Sequence, residues 1–229
     1  GASIHEDEPG HGPALTDRDV RQIVAHLKAI GANVTRAHYA LDPRLLDAFD
    51  AAGILVWAQA PVYHRDDELA TAAGRQEALR TLRAAVIQTR NHPAVITHSV
   101  ANELSVSPDT RPGTRAYLDA ALDATRELDP ALPVAVDLLS YPGLTRQETY
   151  GRFDLLGLNT YFGWYPGPKN RSTADIGGLA PFVRHMRELY PRAGLVMTEF
   201  GAEATENGPA AKKQTYAFQA RYIADTMRL

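Results

Sequence analysis

Leu195-Val-Met-Thr-Glu199-Phe-Gly201 is an apolar run that ends by delivering a carboxylate. Four residues suited to a buried strand lead into Glu199, and Gly201 is expected to let the backbone turn sharply behind it. The same event recurs upstream, where His92-Pro-Ala-Val-Ile-Thr-His-Ser-Val-Ala101 runs into Asn102-Glu103. A lone glutamate after a strand is ordinarily a surface residue. Two of them, each closing a dry element, point instead to a pair facing each other across a cleft.

Outward from these runs the chain alternates between strand and helix patterns. Thr16 is a helix cap with Asp19 three residues on, and Val20, Ile23, Val24, Leu27 and Ile30 keep one face behind it. Asn33 to Ala37 reads as a strand leading into Arg36-Ala-His38-Tyr39, and Asp42-Pro43 opens a helix with Leu45, Leu46 and Phe49 on its buried side. Ile54-Leu-Val-Trp-Ala58 is the most strand-like run, with Trp57 a core residue, and it ends in Gln59. A polar loop follows, then a helix from about Thr71 to Arg90 with Leu79, Leu82, Val86 and Ile87 on one side. Further helices are expected through Tyr117 to Leu128, Leu179 to Leu189 and Lys212 to Leu229, the last facing the core with Tyr216, Ala220, Ile223 and Met227. Between them Val134-Ala-Val136 ends in Asp137, and Asp154-Leu-Leu-Gly-Leu158 ends in Asn159.

Seven strand-then-helix units in strict alternation predict an α/β fold, a parallel sheet covered by helices, either doubly wound or closed as a (β/α)8 TIM barrel. No Gly-rich phosphate loop follows the first strand, so the doubly wound reading has nothing to hold a pyrophosphate. Polar residues recur just past strand ends: His5, Arg36 and His38, Gln59, Asn102 and Glu103, Asp137, Asn159 and Tyr161, then Glu199. In a barrel these positions converge on one face. The expectation is a single catalytic barrel domain over residues 1–229, lacking its eighth strand and helix. The start on strand-like Gly1-Ala-Ser-Ile4 reads as a cut inside a longer, multidomain polypeptide.

Composition narrows the chemistry. Net charge is -3 with both signs interspersed, which argues against nucleic-acid and anionic-membrane partners. No apolar stretch approaches the roughly 18 residues of a membrane span. Cysteine is absent, which excludes disulfides, thiolate metal sites and cysteine nucleophiles. The lysines, Lys28, Lys169, Lys212 and Lys213, do not end apolar runs, so a desolvated Schiff-base lysine is not expected. His5, Glu6 and Asp7 could be read as metal ligands, but neighbours on an extended segment point to opposite sides. No cofactor or metal is expected.

Hydrolysing a glycosidic bond with retention needs one carboxyl that protonates the leaving oxygen and a second that attacks the anomeric carbon, roughly 5 to 5.5 Å apart. The first must hold its proton near neutrality and the second must stay ionised. Arg36, on a strand end on the same face, would keep Glu199 charged, leaving Glu103 as the acid and Asn102 to hold a sugar hydroxyl.

Five pieces carry a resemblance: Ile4-His5-Glu6-Asp7, Thr35-Arg36-Ala-His38-Tyr39, Asn91-His92-Pro93 through Asn102-Glu103, Gly157-Leu-Asn159-Thr-Tyr161-Phe-Gly-Trp164-Tyr165, and Thr198-Glu199-Phe-Gly201. In this order and spacing, over nearly the whole chain, they resemble the catalytic barrel of glycoside hydrolase family 2, closest to its β-glucuronidase and β-galactosidase types. The resemblance implies a retaining β-glycosidase with Glu103 as acid/base and Glu199 as nucleophile. It implies that Arg36 and Tyr161 hydrogen-bond the nucleophile, that Asn102 binds the sugar 2-hydroxyl and that Asp7 is a substrate-binding acid. It also implies a carbohydrate substrate and β-sandwich domains elsewhere in the parent chain, with homo-oligomers possible. His38, Asn159 and Trp164 complete the candidate set. His38 and Tyr39 could equally be packing residues under the barrel mouth, and Trp164 and Tyr165 could stack on a sugar or cover the rim. The chain departs from the family pattern at His98, where many members have Trp, and at Gln59, usually acidic. A carbohydrate-binding relative that has lost turnover is the alternative.

Overall fold

The computed structural model describes residues 1–10, 12–139, 144–165 and 175–229. Seven strands form one sheet: β1 (Ala2–Ser3), β2 (Val34–Arg36), β3 (Leu55–Gln59), β4 (Val95–Leu104), β5 (Val134–Leu139), β6 (Leu155–Asn159) and β7 (Gly194–Glu199). They lie in sequence order and every neighbouring pair is parallel. Parallel neighbours need crossovers, and among the described residues all but one of them contain an α-helix. The helices are α1 (Asp17–Ala29), α2 (Pro43–Ala52), α3 (Asp66–Leu69), α4 (Ala72–Thr89), α5 (Pro112–Leu128), α6 (Leu179–Leu189) and α7 (Tyr216–Arg228). This is a TIM-barrel sheet that stays open between β1 and β7. The two strands after β7, β8 (Ala204–Glu206) and β9 (Gln214–Thr215), pair with each other and not with the sheet. Among the described residues there is thus no eighth barrel strand.

Local chemistry explains the helices that position the sheet. Thr16 and Asp19 form a reciprocal capping box on α1, and Asp42 caps α2 with Pro43 in its first turn. Leu45, Leu46 and Phe49 of α2 are completely buried, each contributing roughly 1.5–3 kcal/mol relative to exposure. They join α1 and β2–β3 in one apolar cluster, while α4, α5 and α6 pack on β4–β6 in a second.

Five sequence expectations are corrected. The alternation breaks between β5 and β6, where residues 144–154 form only a 3₁₀ turn at Tyr150–Arg152, because that stretch lacks an apolar helical repeat. The loop after β3 contains the short helix α3, whose Leu69 is buried. Helix α7 turns Phe218, Tyr222 and Thr226 inward and leaves Tyr216, Ile223 and Met227 exposed; Phe218 and Tyr222 stack on one another and join Trp164 and Ala202 in an apolar cluster. Ile30 and Ile87 also face outward. Finally, Gly201 does not have a positive φ, so the turn behind Glu199 does not draw on the freedom that only glycine has. Lys169 lies outside the described residues. No described helix is long and apolar enough to cross a membrane.

Candidate active site

The C-terminal ends of β2, β4, β5, β6 and β7 bring Arg36, Asn102, Glu103, Asp137, Asn159 and Glu199 together. Register does much of this: Asn102 lies level with Asp137, and Asn159 level with Glu199. The ladders are irregular between Ser99 and Asn102, between Asn102 and Leu104, and between Leu158 and Asn159. Such irregularities re-aim side chains. On a regular strand Asn102 and Glu103 would point to opposite faces. Glu103 instead has φ 50°, a left-handed conformation that costs a non-glycine residue of order 1–3 kcal/mol, and the alternation is broken there. Both side chains consequently meet the same amide, Asn159 Nδ2, which donates to Asn102 Oδ1 and to Glu103 Oε1, each at 2.9 Å. Thr198 Oγ1 donates to Asn159 Oδ1 at 2.8 Å and fixes which way that amide faces.

Arg36 is the hub of the site. Its Nε and Nη2 donate to Asp137 Oδ2 at 3.1 and 2.9 Å, Nη2 also donates to Asn102 Oδ1 at 2.9 Å, and Nη1 donates to Glu199 Oε1 at 2.8 Å. The other Glu199 oxygen accepts from the Tyr161 hydroxyl at 2.5 Å. Both Glu199 oxygens thus accept a hydrogen bond, which fixes the orientation of the carboxyl group. Burial works against charge on Arg36, but Asp137 and Glu199 outweigh it and raise its pKa, so the guanidinium stays charged.

Glu103 has the opposite environment. Burial raises its carboxyl above the ordinary value, the Asn159 hydrogen bond opposes this, and the nearby charge of Glu199 adds to it. Asp137 is raised to about 6, chiefly by complete burial, against the pull of Arg36. The raised Arg36 and raised Asp137 pull against each other; the two short hydrogen bonds between them favour a paired arrangement.

Of the expected site residues, Arg36, Asn102, Glu103, Asn159, Tyr161 and Glu199 converge. His38 borders them, its Nε2 3.7 Å from Glu199 Oε1, and burial followed by the charge of Arg36 lowers its pKa, favouring the neutral ring. Asp7 lies in the loop after β1, where, with Glu8, Pro9, Gly10 and Gly12, it lines an open pocket of about 460 Å3. Trp164 is 8% exposed and packs on Phe218 of α7, which leaves Tyr165 as the exposed ring of that loop. Trp57 is buried in β3. His5, Glu6 and Asp7 do not converge; the trio among the described residues that could hold a metal is Asp47, Asp50 and His92, where Asp50 holds His92 Nδ1 and the Ala94 N–H at the entry to β4. His98 is buried against Asp129, Nε2 to Oδ2 at 2.9 Å.

Two residues of the site carried no assigned role in the sequence reading. Asp137 was visible as a polar strand end, but its partnership with Arg36 is separated by 101 positions. His64 Nε2 lies 3.3 Å from Glu103 Oε2, and nothing in its loop sequence marks it.

Known proteins resemble this chain in sequence and in fold. A β-glucuronidase of Paenibacillus borealis is 28% identical over 222 residues, covering 89% of this chain and 35% of that protein. The solved β-D-glucuronidase of Dictyoglomus thermophilum superimposes with a TM-score of 0.83 at 26% identity, over 100% of this chain and 41% of that one. A Ruminococcus gnavus β-glucuronidase solved with C6-substituted uronic isofagomine gives a TM-score of 0.85 at 22% identity, over 99% and 40%. The chain therefore spans only 35% to 41% of the length of these proteins. The model of glycosyl hydrolases family 2, TIM barrel domain, matches residues 1–225, and the chain belongs to that family.

Proposed function

We propose that this barrel is the catalytic domain of a retaining β-glycoside hydrolase acting on terminal β-linked sugars of the β-glucuronide or β-galactoside type. The observation that carries this reading is the single hydrogen-bonded layer in which Asn159 holds Glu103 and Arg36 holds Glu199. Glu199 attacks the anomeric carbon while Glu103 gives its proton to the departing glycosidic oxygen, leaving a glycosyl ester on Glu199 and a free alcohol. Glu103, now ionised, takes a proton from water; the resulting oxygen nucleophile attacks the same carbon and releases Glu199. Tyr161 and Arg36 stabilise the Glu199 carboxylate as it leaves. Asn102 binds the sugar 2-hydroxyl, His38 borders the sugar beside Glu199, and Asp7 with its loop contributes a substrate-binding acid. Trp164 supports the rim through its packing on α7.

Relatives described as β-glucuronidases make a glucuronide the first substrate to try. Because the chain spans under half of those proteins, the active molecule is taken to include further domains, and the assay belongs on the longest native polypeptide that carries this barrel. A panel of 4-nitrophenyl β-D-glycosides identifies the sugar. A 2-deoxy-2-fluoro glycoside of that sugar should then label Glu199; attachment at another residue, or no turnover of any glycoside, removes the reading.

A further inference from the structure

Glu103 has two carboxyl oxygens, and their surroundings differ. Oε1 accepts from Asn159 Nδ2, so it already faces a donor. A proton held by this carboxyl therefore resides on Oε2, and the atom that receives it must approach from the Oε2 side. The groups on that side come from the loop after β3. His64 Nε2 is 3.3 Å from Oε2, and the Tyr63 ring stands edge-on to the His64 ring with centroids 6.1 Å apart. Tyr63 also neighbours His38, at 6.4 Å between centroids, so its ring adjoins both the histidine beside Glu103 and the histidine beside Glu199.

The loop is fixed to the strand bearing the acid. Tyr63 bridges to Asn102 in parallel register, and the Asn102 N–H donates to the Val62 carbonyl at 2.9 Å. Across this bridge His64 and Glu103 both have φ 50°. Two left-handed non-glycine residues facing one another are backbone strain of the kind that collects at binding sites. Tyr63 is 49% exposed, a large aromatic ring in water next to the histidine that meets Glu103.

We propose that Tyr63 and His64 form the leaving-group subsite, and that it takes a ring-bearing leaving group, an aryl or pyranosyl alcohol whose flat face stacks on Tyr63 while its oxygen meets Glu103 Oε2. The proposal rests on the glycosidase reading above. It is a binding role, separate from the chemistry carried by Glu103 and Glu199. Tyr63→Ala removes the platform at an exposed position, and Tyr63→Phe keeps it.

The test compares the 4-nitrophenyl and methyl β-glycosides of the sugar found by the panel, on the longest native polypeptide, following released nitrophenol and released reducing sugar. For Tyr63→Ala, kcat/KM on the aryl glycoside falls by about three- to tenfold, the worth of one aromatic contact, while the methyl glycoside, with no ring to stack, stays within about twofold. Tyr63→Phe holds wild-type values on both. Equal losses on the two substrates, or a Tyr63→Phe variant as impaired as Tyr63→Ala, overturn the subsite while leaving the glycosidase reading intact. Absence of turnover by the wild type overturns the glycosidase reading and the subsite with it.

Discussion

Arg36→Met removes a guanidinium that holds three partners, Asp137, Asn102 and Glu199, while keeping much of its apolar stem. The Asp137 side chain has 0% of its surface in water against 15% for Glu199, so the loss falls mainly on Asp137. Removing one partner of a buried pair costs about 3–5 kcal/mol. At about 2–4 °C per kcal/mol for a chain of this size, the unfolding midpoint near neutral pH drops by about 6–20 °C. The pH dependence is the sharper test. Asp137 is already raised to about 6 with Arg36 present, and without that cation it rises further. A carboxyl whose folded pKa exceeds its unfolded value binds protons more tightly when folded, so the stability it contributes falls as pH rises between those two values. Native protein and variant share that fall up to about pH 6. Above it only the variant continues to lose, and the gap widens by about 1.4 kcal/mol per pH unit until the variant's own carboxyl has ionised. Thermal unfolding followed by circular dichroism from about pH 5 to about pH 8 measures the gap. A loss that is the same at both ends refutes Asp137 as the buried partner of Arg36.

Further outcomes follow from the same geometry. Glu103→Gln should slow hydrolysis of glycosides with poor leaving groups by about 10²–10⁴-fold and activated aryl glycosides far less. Because burial raises the Glu103 pKa and the acid must be protonated, wild-type activity is present below that pKa and lost as pH rises through it; the Gln variant should lack this alkaline limb in its kcat/KM profile. Tyr161→Phe deletes the 2.5 Å hydrogen bond to Glu199, a bond to a charged group worth about 1.5–3 kcal/mol, so breakdown of the glycosyl-enzyme, the step in which Glu199 regains its charge, should slow by up to roughly 10- to 150-fold in single-turnover kinetics. Gly157→Ala would put a methyl 2.1 Å from Asp137 Oδ1 and 2.6 Å from Thr198 Oγ1, and overpacking there should cost about 1–3 kcal/mol in denaturant titration.

The alternation of short apolar runs with 3.6-period helices, each run ending on a polar residue, was enough to give a parallel barrel sheet and to place Arg36, Glu103, Asn159 and Glu199 at its rim. Periodicity carries that information because burial on one helix face or on both faces of a strand dictates residue type position by position. It failed where packing chose between two apolar faces, as on α7, where Phe218 and Tyr222 turn inward instead of Ile223 and Met227. The Arg36–Glu199 contact was expected, but other contacts between residues far apart in the chain were hidden: Arg36 reaches Asp137 and Asn102 only because the ends of separate strands converge. Above all, the sequence determined that two glutamates end two strands. Only the tertiary structure decided which way they face, because a left-handed φ at Glu103 and irregular ladders around Asn102 and Asn159 set aside the two-residue alternation that any sequence reading must assume.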